Sequence, residues 1–266
     1  MKHKGLEYYL NIDETRFTAP TREALDMYTE HFIRKVPFEN IDVQNGVSIS
    51  VEIAAIYDKV VNRQRGGFCY ELNTLYRHYL VEKGFRAFNV SATVHTPDGG
   101  RSLPGSHMST VVEIEGHYYI ADVGFGERPL HVMPLLPQNQ AQVVEDTMGI
   151  FRAVFVDDTY DRFEVQKWDS EAWKTKYEGD LTPKQLADFA ENLVYNQTNP
   201  NSIFVKQLIV TKPTEKGHVT MSQHHLTLTE EGQKYKKEIT PDNYRTLLKK
   251  YFNIDSVIHR LEGPYK

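Results

Sequence analysis

Apolar residues in the first third of the chain recur at the three-and-four spacing of helices that bury one face. Leu25, Tyr28 and Phe32 share such a face behind Thr18, Pro20 and Thr21, which predicts a capped helix over 18–34 that Pro37 brings to an end. Ile53, Ile56, Val60 and Val61 predict a second helix over about 51–63. Leu72, Leu75, Tyr76, Tyr79 and Leu80 predict a third, starting at Cys69 and stopped by Gly84. After Phe85 the period changes. Residues 87–94 alternate loosely, as a strand does, and 96–105 form a turn-rich loop. Two β-prone runs, 107–114 and 117–123, are joined by Glu115-Gly116. Alternating runs near 150–157, 160–168 and 171–177, the first two separated by the turn Asp157-Asp158, suggest a small antiparallel barrel or curved sheet. Thr182-Pro183 predicts the start of a helix through Leu186, Phe189, Ala190 and Leu193 that ends near Val194. A loop is expected from Tyr195 to Ser202, strands over 203–210 and 217–228, and a last helix opened by Thr240-Pro241 and carried through Leu247, Leu248 and Phe252. The expected class is α+β: helices over 1–84, a barrel or curved sheet over 85–181 and a mixed α/β unit over 182–266, with no repeat and no flexible linker.

Two stretches hold candidate chemistry. The first is Arg65-Gly66-Gly67-Phe68-Cys69, which places the only cysteine at a predicted helix start. Unpaired backbone N–H groups and the positive end of the helix dipole favour a thiolate there, whereas an ordinary free cysteine is a small buried hydrophobe. The second is the hairpin. With a two-residue turn at 115 and 116, facing residues have numbers that sum to 231, so Asp122 lies opposite Ser109 and His107 opposite Gly124. His107 and Asp122 then share a face, with β-carbons roughly 7 Å apart, and a slip of one residue would separate them. Singly, each is commonplace, since the chain has 11 histidines and an aspartate can merely turn the backbone. Together with Cys69 they form a nucleophile, a base and a carboxylate that fixes the tautomer of the base. Glu39, between apolar neighbours in Pro37-Phe38-Glu39-Asn40, reads as a solvated loop carboxylate; if buried it needs a cation, for which Arg65 is the candidate.

Composition narrows the class without naming the chemistry. The 266 residues are 40% hydrophobic and 25% charged, ordinary for a globular protein with a real core. One cysteine cannot form an internal disulfide, no apolar run approaches the roughly 18 residues of a membrane span, and no apolar run follows the basic Met1-Lys2-His3-Lys4 start as in a signal peptide. The expected setting is therefore a reducing cytoplasm, away from membranes. A formal net charge of −5 argues against nucleic acid as the main partner. The 16 tyrosines and 13 phenylalanines suit a pocket for flat apolar groups and suit a core equally well.

The motif Arg65-Gly66-Gly67-Phe68-Cys69-Tyr70-Glu71-Leu72-Asn73, with Pro37-Phe38-Glu39-Asn40 upstream, His107 opening a strand and Asp122-Val123-Gly124-Phe125-Gly126 beyond it, resembles the arylamine N-acetyltransferase family in order and spacing. The resemblance implies a helical bundle, a β-barrel and an α/β lid around a catalytic core similar to that of papain-like cysteine enzymes. It implies a Cys-His-Asp triad at Cys69, His107 and Asp122, and ping-pong transfer of acetyl from acetyl-CoA through the cysteine to an arylamine, arylhydroxylamine or hydrazine, with no metal. It also implies acceptor contacts at Phe38, Ser106 and Phe125, and coenzyme A contacts at Tyr195 and Asn201. Two alternatives use the same residues differently: a cysteine hydrolase or transglutaminase-like enzyme with the same trio, and a binding module whose cysteine belongs to the core.

Overall fold

The computed structural model describes residues 3–13, 15–17 and 19–263; Met1, Lys2 and Thr18, which enter the sequence reading, lie outside them. The chain opens with α1 (His3–Leu10), which the apolar pattern did not single out, and continues with α2 (Arg22–Lys35). The α2 helix begins where the Thr21 hydroxyl accepts the Ala24 N–H at 3.2 Å, and it buries Leu25, Tyr28 and Phe32 as expected. Beyond it come the two-residue strand β1 (Phe38–Glu39), the single turn α3 (Ile41–Gln44) and α4 (Ile53–Tyr57). The helix expected over about 51–63 is α4 followed by a wider π turn, Asp58–Asn62, which carries Lys59. Next comes α5 (Cys69–Glu82), which starts at the cysteine and ends before Gly84.

The barrel is built from β2 (Arg86–Val94), β3 (His107–Ile114), β4 (His117–Ile120), β5 (Met133–Pro137), β7 (Gly149–Phe155), β8 (Arg162–Trp168) and β9 (Trp173–Asp180), with the short β6 (Val144–Asp146) attached outside β7. Its order is β5-β4-β3-β2-β9-β8-β7, closed by β5 against β7. Every seam is antiparallel except the closing one, where Leu135 faces Ala153 in parallel. An odd ring of strands cannot alternate direction all the way round, so the fully antiparallel barrel of the sequence reading acquires one parallel seam. The β3–β4 register is the expected one: Val111 faces Ile120 and Ile114 faces His117. Glu115 and Gly116 both have positive φ, 51° and 80°, the backbone of a type I′ hairpin turn. The β4 ladder stops at Ile120, short of the expected Val123, although Ala121 N–H still reaches the Thr110 carbonyl at 2.9 Å. The α5 helix lies against β2 and β3.

The last third departs most from the sequence reading. Thr182-Pro183 does not start a helix, because Lys184 N–H bonds the Asn89 carbonyl at 2.8 Å and holds the segment extended along β2. A 3₁₀ turn at Leu186–Phe189 leads into α6 (Ala190–Thr198), so half of the expected 195–202 loop is helical. Residues 203–206, expected as strand, form α7 (Ile203–Lys206), capped by Ser202, whose hydroxyl accepts the Phe204 N–H at 3.2 Å. Strands β10 (Val210–Pro213), β11 (Gly217–Met221), β12 (His225–Glu230) and β13 (Gln233–Glu238) follow, and the last helix, α8 (Tyr244–Phe252), begins after Asn243 rather than at Thr240. Their sheet runs β1-β10-β11-β12-β13. Its edge strand is thus borrowed from the N-terminal segment, with Glu39 facing Val210. Val210, Val219, Met221 and Leu226 bury one face of this sheet with Leu247, Leu248 and Phe252 of α8. Among the described residues no helix is long and apolar enough to cross a membrane.

Candidate active site

Cys69 is the first residue of α5, and the loop before it is packed tightly enough to require its glycines. A Cβ on Gly66 would stand 1.8 Å from the Pro37 carbonyl oxygen, and one on Gly124 would stand 2.7 Å from the Cα of Cys69. Backbone alone fits at both places: the Gly66 turn closes on the Pro37 carbonyl, and the segment after Asp122 closes directly on Cys69. Glu71 supplies the cap that Phe68 cannot: its carboxylate accepts the Phe68 N–H at 3.2 Å.

Below this loop lies a buried chain of charges. Arg65 Nε donates to Glu39 at 2.9 Å, its Nη2 lies 3.0 Å from Asp42, and Lys59 Nζ lies 2.7 Å from both Asp42 and Glu71. Glu39 is 1% exposed, so the solvated reading of this carboxylate fails and the pairing with Arg65 holds. Its other oxygen accepts the Ile41 N–H at 2.7 Å. Burial lifts Glu71 to about 7 against the pull of Lys59.

His107 opens β3, and Asp122 follows β4. Their side chains meet with Nε2 and Oδ2 at 2.6 Å, both buried. With Nε2 committed to Asp122, Nδ1 is the ring nitrogen left free, and the Cys69 sulfur interacts with the ring. Burial opposes a charged imidazole, but the Asp122 carboxylate and the sulfur outweigh it and raise His107 to about 10. Asp122 is likewise disfavoured by burial, yet His107, Asn73 and the Gly124 N–H bring it down to about 2. The Asn73 amide donates to Asp122 Oδ1 at 2.9 Å and to the Met108 carbonyl at 2.6 Å, while its oxygen accepts from Thr110 Oγ1 and the Val123 N–H, each at 3.1 Å. The Phe125 and Tyr177 rings enclose the imidazole, with centroids 5.1 and 4.8 Å away.

A cavity of about 600 Å³ opens onto this group. Cys69, His107, Phe38, Ser106, Phe125, Tyr195 and Asn201 all line it, so every candidate from the sequence reading except Asp122 is on its wall, and Asp122 stands behind His107. Cys69 is shielded from bulk solvent but faces this space. Ser106 is held through its carbonyl by Tyr70 Oη at 3.1 Å and Asn196 Nδ2 at 3.4 Å. Sequence reasoning gave no role to Asn73, Tyr177, Asn196 or Arg128, and none to the lid sheet, whose Thr211, His218 and Thr220 also border the cavity. Phe204, whose ring lies 5.4 Å from Phe68 and 6.2 Å from Phe38, joins α7 to the nucleophile loop. Among the described residues no group of three or more His, Cys, Asp or Glu side chains is arranged to hold a metal ion.

Comparison with known proteins gives this geometry its context. The family model described as N-acetyltransferase matches residues 21–260. The pineal gland arylamine N-acetyltransferase isozyme NAT-10 of Gallus gallus is 31% identical over 260 residues, which span 87% of each chain. The chain belongs to the arylamine N-acetyltransferase family. Arylamine N-acetyltransferase C of Bacillus anthracis superposes with a TM-score of 0.85 at 25% identity, covering 95% of this chain and 98% of that one. The Mycobacterium marinum arylamine N-acetyltransferase, solved in complex with CoA, superposes with a TM-score of 0.84 at 25% identity, covering 97% and 96%. As an arylamine N-acetyltransferase the protein is an acyltransferase, with acetyl-CoA as its acetyl donor.

Proposed function

We propose that the protein carries acetyl from acetyl-CoA to the nitrogen of an arylamine, arylhydroxylamine or hydrazine through a thioester on Cys69. The observation that carries this reading is an imidazole paired with the Asp122 carboxylate at 2.6 Å that shares, with Cys69, the wall of a cavity lined by aromatic rings. His107 protonates the leaving coenzyme A sulfur as the Cys69 thiolate forms its bond to the acetyl carbon. The neutral ring then takes a proton from the amine as the C–N bond forms and the C–S bond breaks, restoring the thiolate and imidazolium. In this reading backbone N–H groups at the start of α5 stabilise the oxyanion. Exchange between two thioesters is nearly thermoneutral, and amide formation then drives the cycle forward.

In this reading residues 1–84 bring the nucleophile, 85–181 the base and its carboxylate, and 182–266 the lid. Phe38 and Phe125 hold the flat acceptor, Ser106 lies beside the acyl group, and Tyr195 and Asn201 meet coenzyme A. The protein works in the cytoplasm without nucleic acid or membrane as partner. Intact-protein mass spectrometry after mixing with acetyl-CoA alone tests it: one acetyl group should be gained, should persist in water, and should be lost when an aromatic amine is added. Cys69→Ala should abolish the burst of coenzyme A release, and Asp122→Asn should lower turnover by about three to four orders of magnitude, as loss of a tautomer-fixing carboxylate does elsewhere. Near-normal turnover in either variant, or rapid loss of acetyl to water, would overturn the assignment.

A further inference from the structure

Arg128 is a buried cation near the catalytic group that the reaction above does not use. It is 4% exposed, and its Nη1 donates to the Phe125 carbonyl, while Nε and Nη2 meet no acceptor among the described residues. Asp122 attracts its charge electrostatically, and it also interacts with Tyr177, the β9 residue whose hydroxyl is bonded to Ser109 at 3.2 Å. Its neighbour Glu127 is already taken by Lys167 at 2.8 Å and Lys176 at 2.5 Å. A buried guanidinium without a paired carboxylate is costly to keep, and at neutral pH it remains charged.

The groups that act on its charge are Asp122, beyond β4, and Tyr177 from β9; Asp122 in turn pairs with His107 from β3, and that ring interacts with Cys69 from α5. In the resting enzyme Asp122 faces an imidazolium. Once Cys69 is acylated, the ring becomes neutral and that cation is gone. We propose that Arg128 is a positioning residue that supplies the second cation, keeping Asp122 ionised and His107 free of its second proton while the acetyl-enzyme waits for an amine. A positive charge behind the pair lowers its affinity for a proton, so the neutral ring is ready to accept one from the incoming amine.

The proposal rests on the thioester reading and is tested by following the two half-reactions separately. Arg128→Gln keeps a donor for the Phe125 carbonyl and removes the charge; Arg128→Lys keeps the charge. In Arg128→Gln the pH midpoint for acetyl-enzyme reaction with an aromatic amine should rise by about one unit, slowing that step about tenfold at pH 7, while acetylation by acetyl-CoA changes less than about threefold. Arg128→Lys should restore the wild-type midpoint. An unshifted midpoint in Arg128→Gln, an equal loss in both half-reactions, or a glutamine-like profile in Arg128→Lys would overturn this role and leave the thioester reading intact. Failure of the wild-type enzyme to acquire acetyl on Cys69 would overturn both.

Discussion

Asn73 sits one helical turn beyond the nucleophile, and its amide ties Asp122, the Met108 carbonyl, Thr110 and the Val123 N–H into a single arrangement. It has no acid–base chemistry of its own, yet it fixes the carboxylate that fixes the imidazole. In Asn73→Leu a buried carboxylate, a carbonyl and an N–H each lose a partner, so unfolding in denaturant should show a loss of about 3 kcal/mol. Turnover in that variant should fall at least tenfold. The helix start at Cys69 and the His107–Asp122 pairing were readable in the sequence, because a helix start and a hairpin register are local patterns. The partners that hold it were not: Asn73 lies 49 residues from Asp122, and the Tyr177 ring reaches His107 across 70 residues of chain. Such contacts exist only once the barrel has closed. Glu39 shows the same limit: its type and neighbours favoured water, with Arg65 its partner only if buried, and the fold decides that it is buried.

At the scale of elements, the start of α5 and the segment after Asp122 approach until backbone meets backbone. Gly124→Ala would force a Cβ to within 2.7 Å of the Cys69 Cα and 2.6 Å of Asn73 Nδ2, and neither a helix backbone nor an engaged amide yields cheaply. The expected cost is about 1–3 kcal/mol in a denaturant titration, with slower alkylation of Cys69 by iodoacetamide than in the wild type. The β3–β4 hairpin was legible because a two-residue turn leaves one register, and the structure has that register. The Ile203–Lys206 turn was not, because Ile-Phe-Val is β-prone and the deciding signal, the Ser202 cap, is a single hydroxyl. The β13 strand was missed for the opposite reason: all its residues are exposed, so it carries no alternating apolar signal, and it forms only because β12 offers an edge.

For the molecule as a whole, the His107–Asp122 pair links stability to pH. His107 is raised from 6.5 to about 10, so its contribution is complete below pH 6.5 and is lost as pH rises towards 10. Asp122 is lowered from 3.8 to about 2, so its contribution is complete above pH 3.8 and is lost as pH falls towards 2. The stability difference between the wild type and a His107→Gln/Asp122→Asn double variant should therefore be level from about pH 4 to 6.5 and shrink on either side. Urea melts across that range measure it, and a difference that grows between pH 7 and 10 would contradict the folded-state charges assigned here.

The short strand at Phe38 and Glu39 serves two masters. On one side Glu39 N–H is bonded to the Gly67 carbonyl at 2.9 Å, next to the nucleophile loop, and on the other the strand pairs with β10 of the C-terminal sheet. Anything that tugs on that sheet is thus mechanically coupled to the turn that precedes Cys69. The enzyme cannot be pared down to a triad-bearing fragment, because severing the last third would strip this strand of its neighbour and leave the reactive loop with a raw, sticky edge.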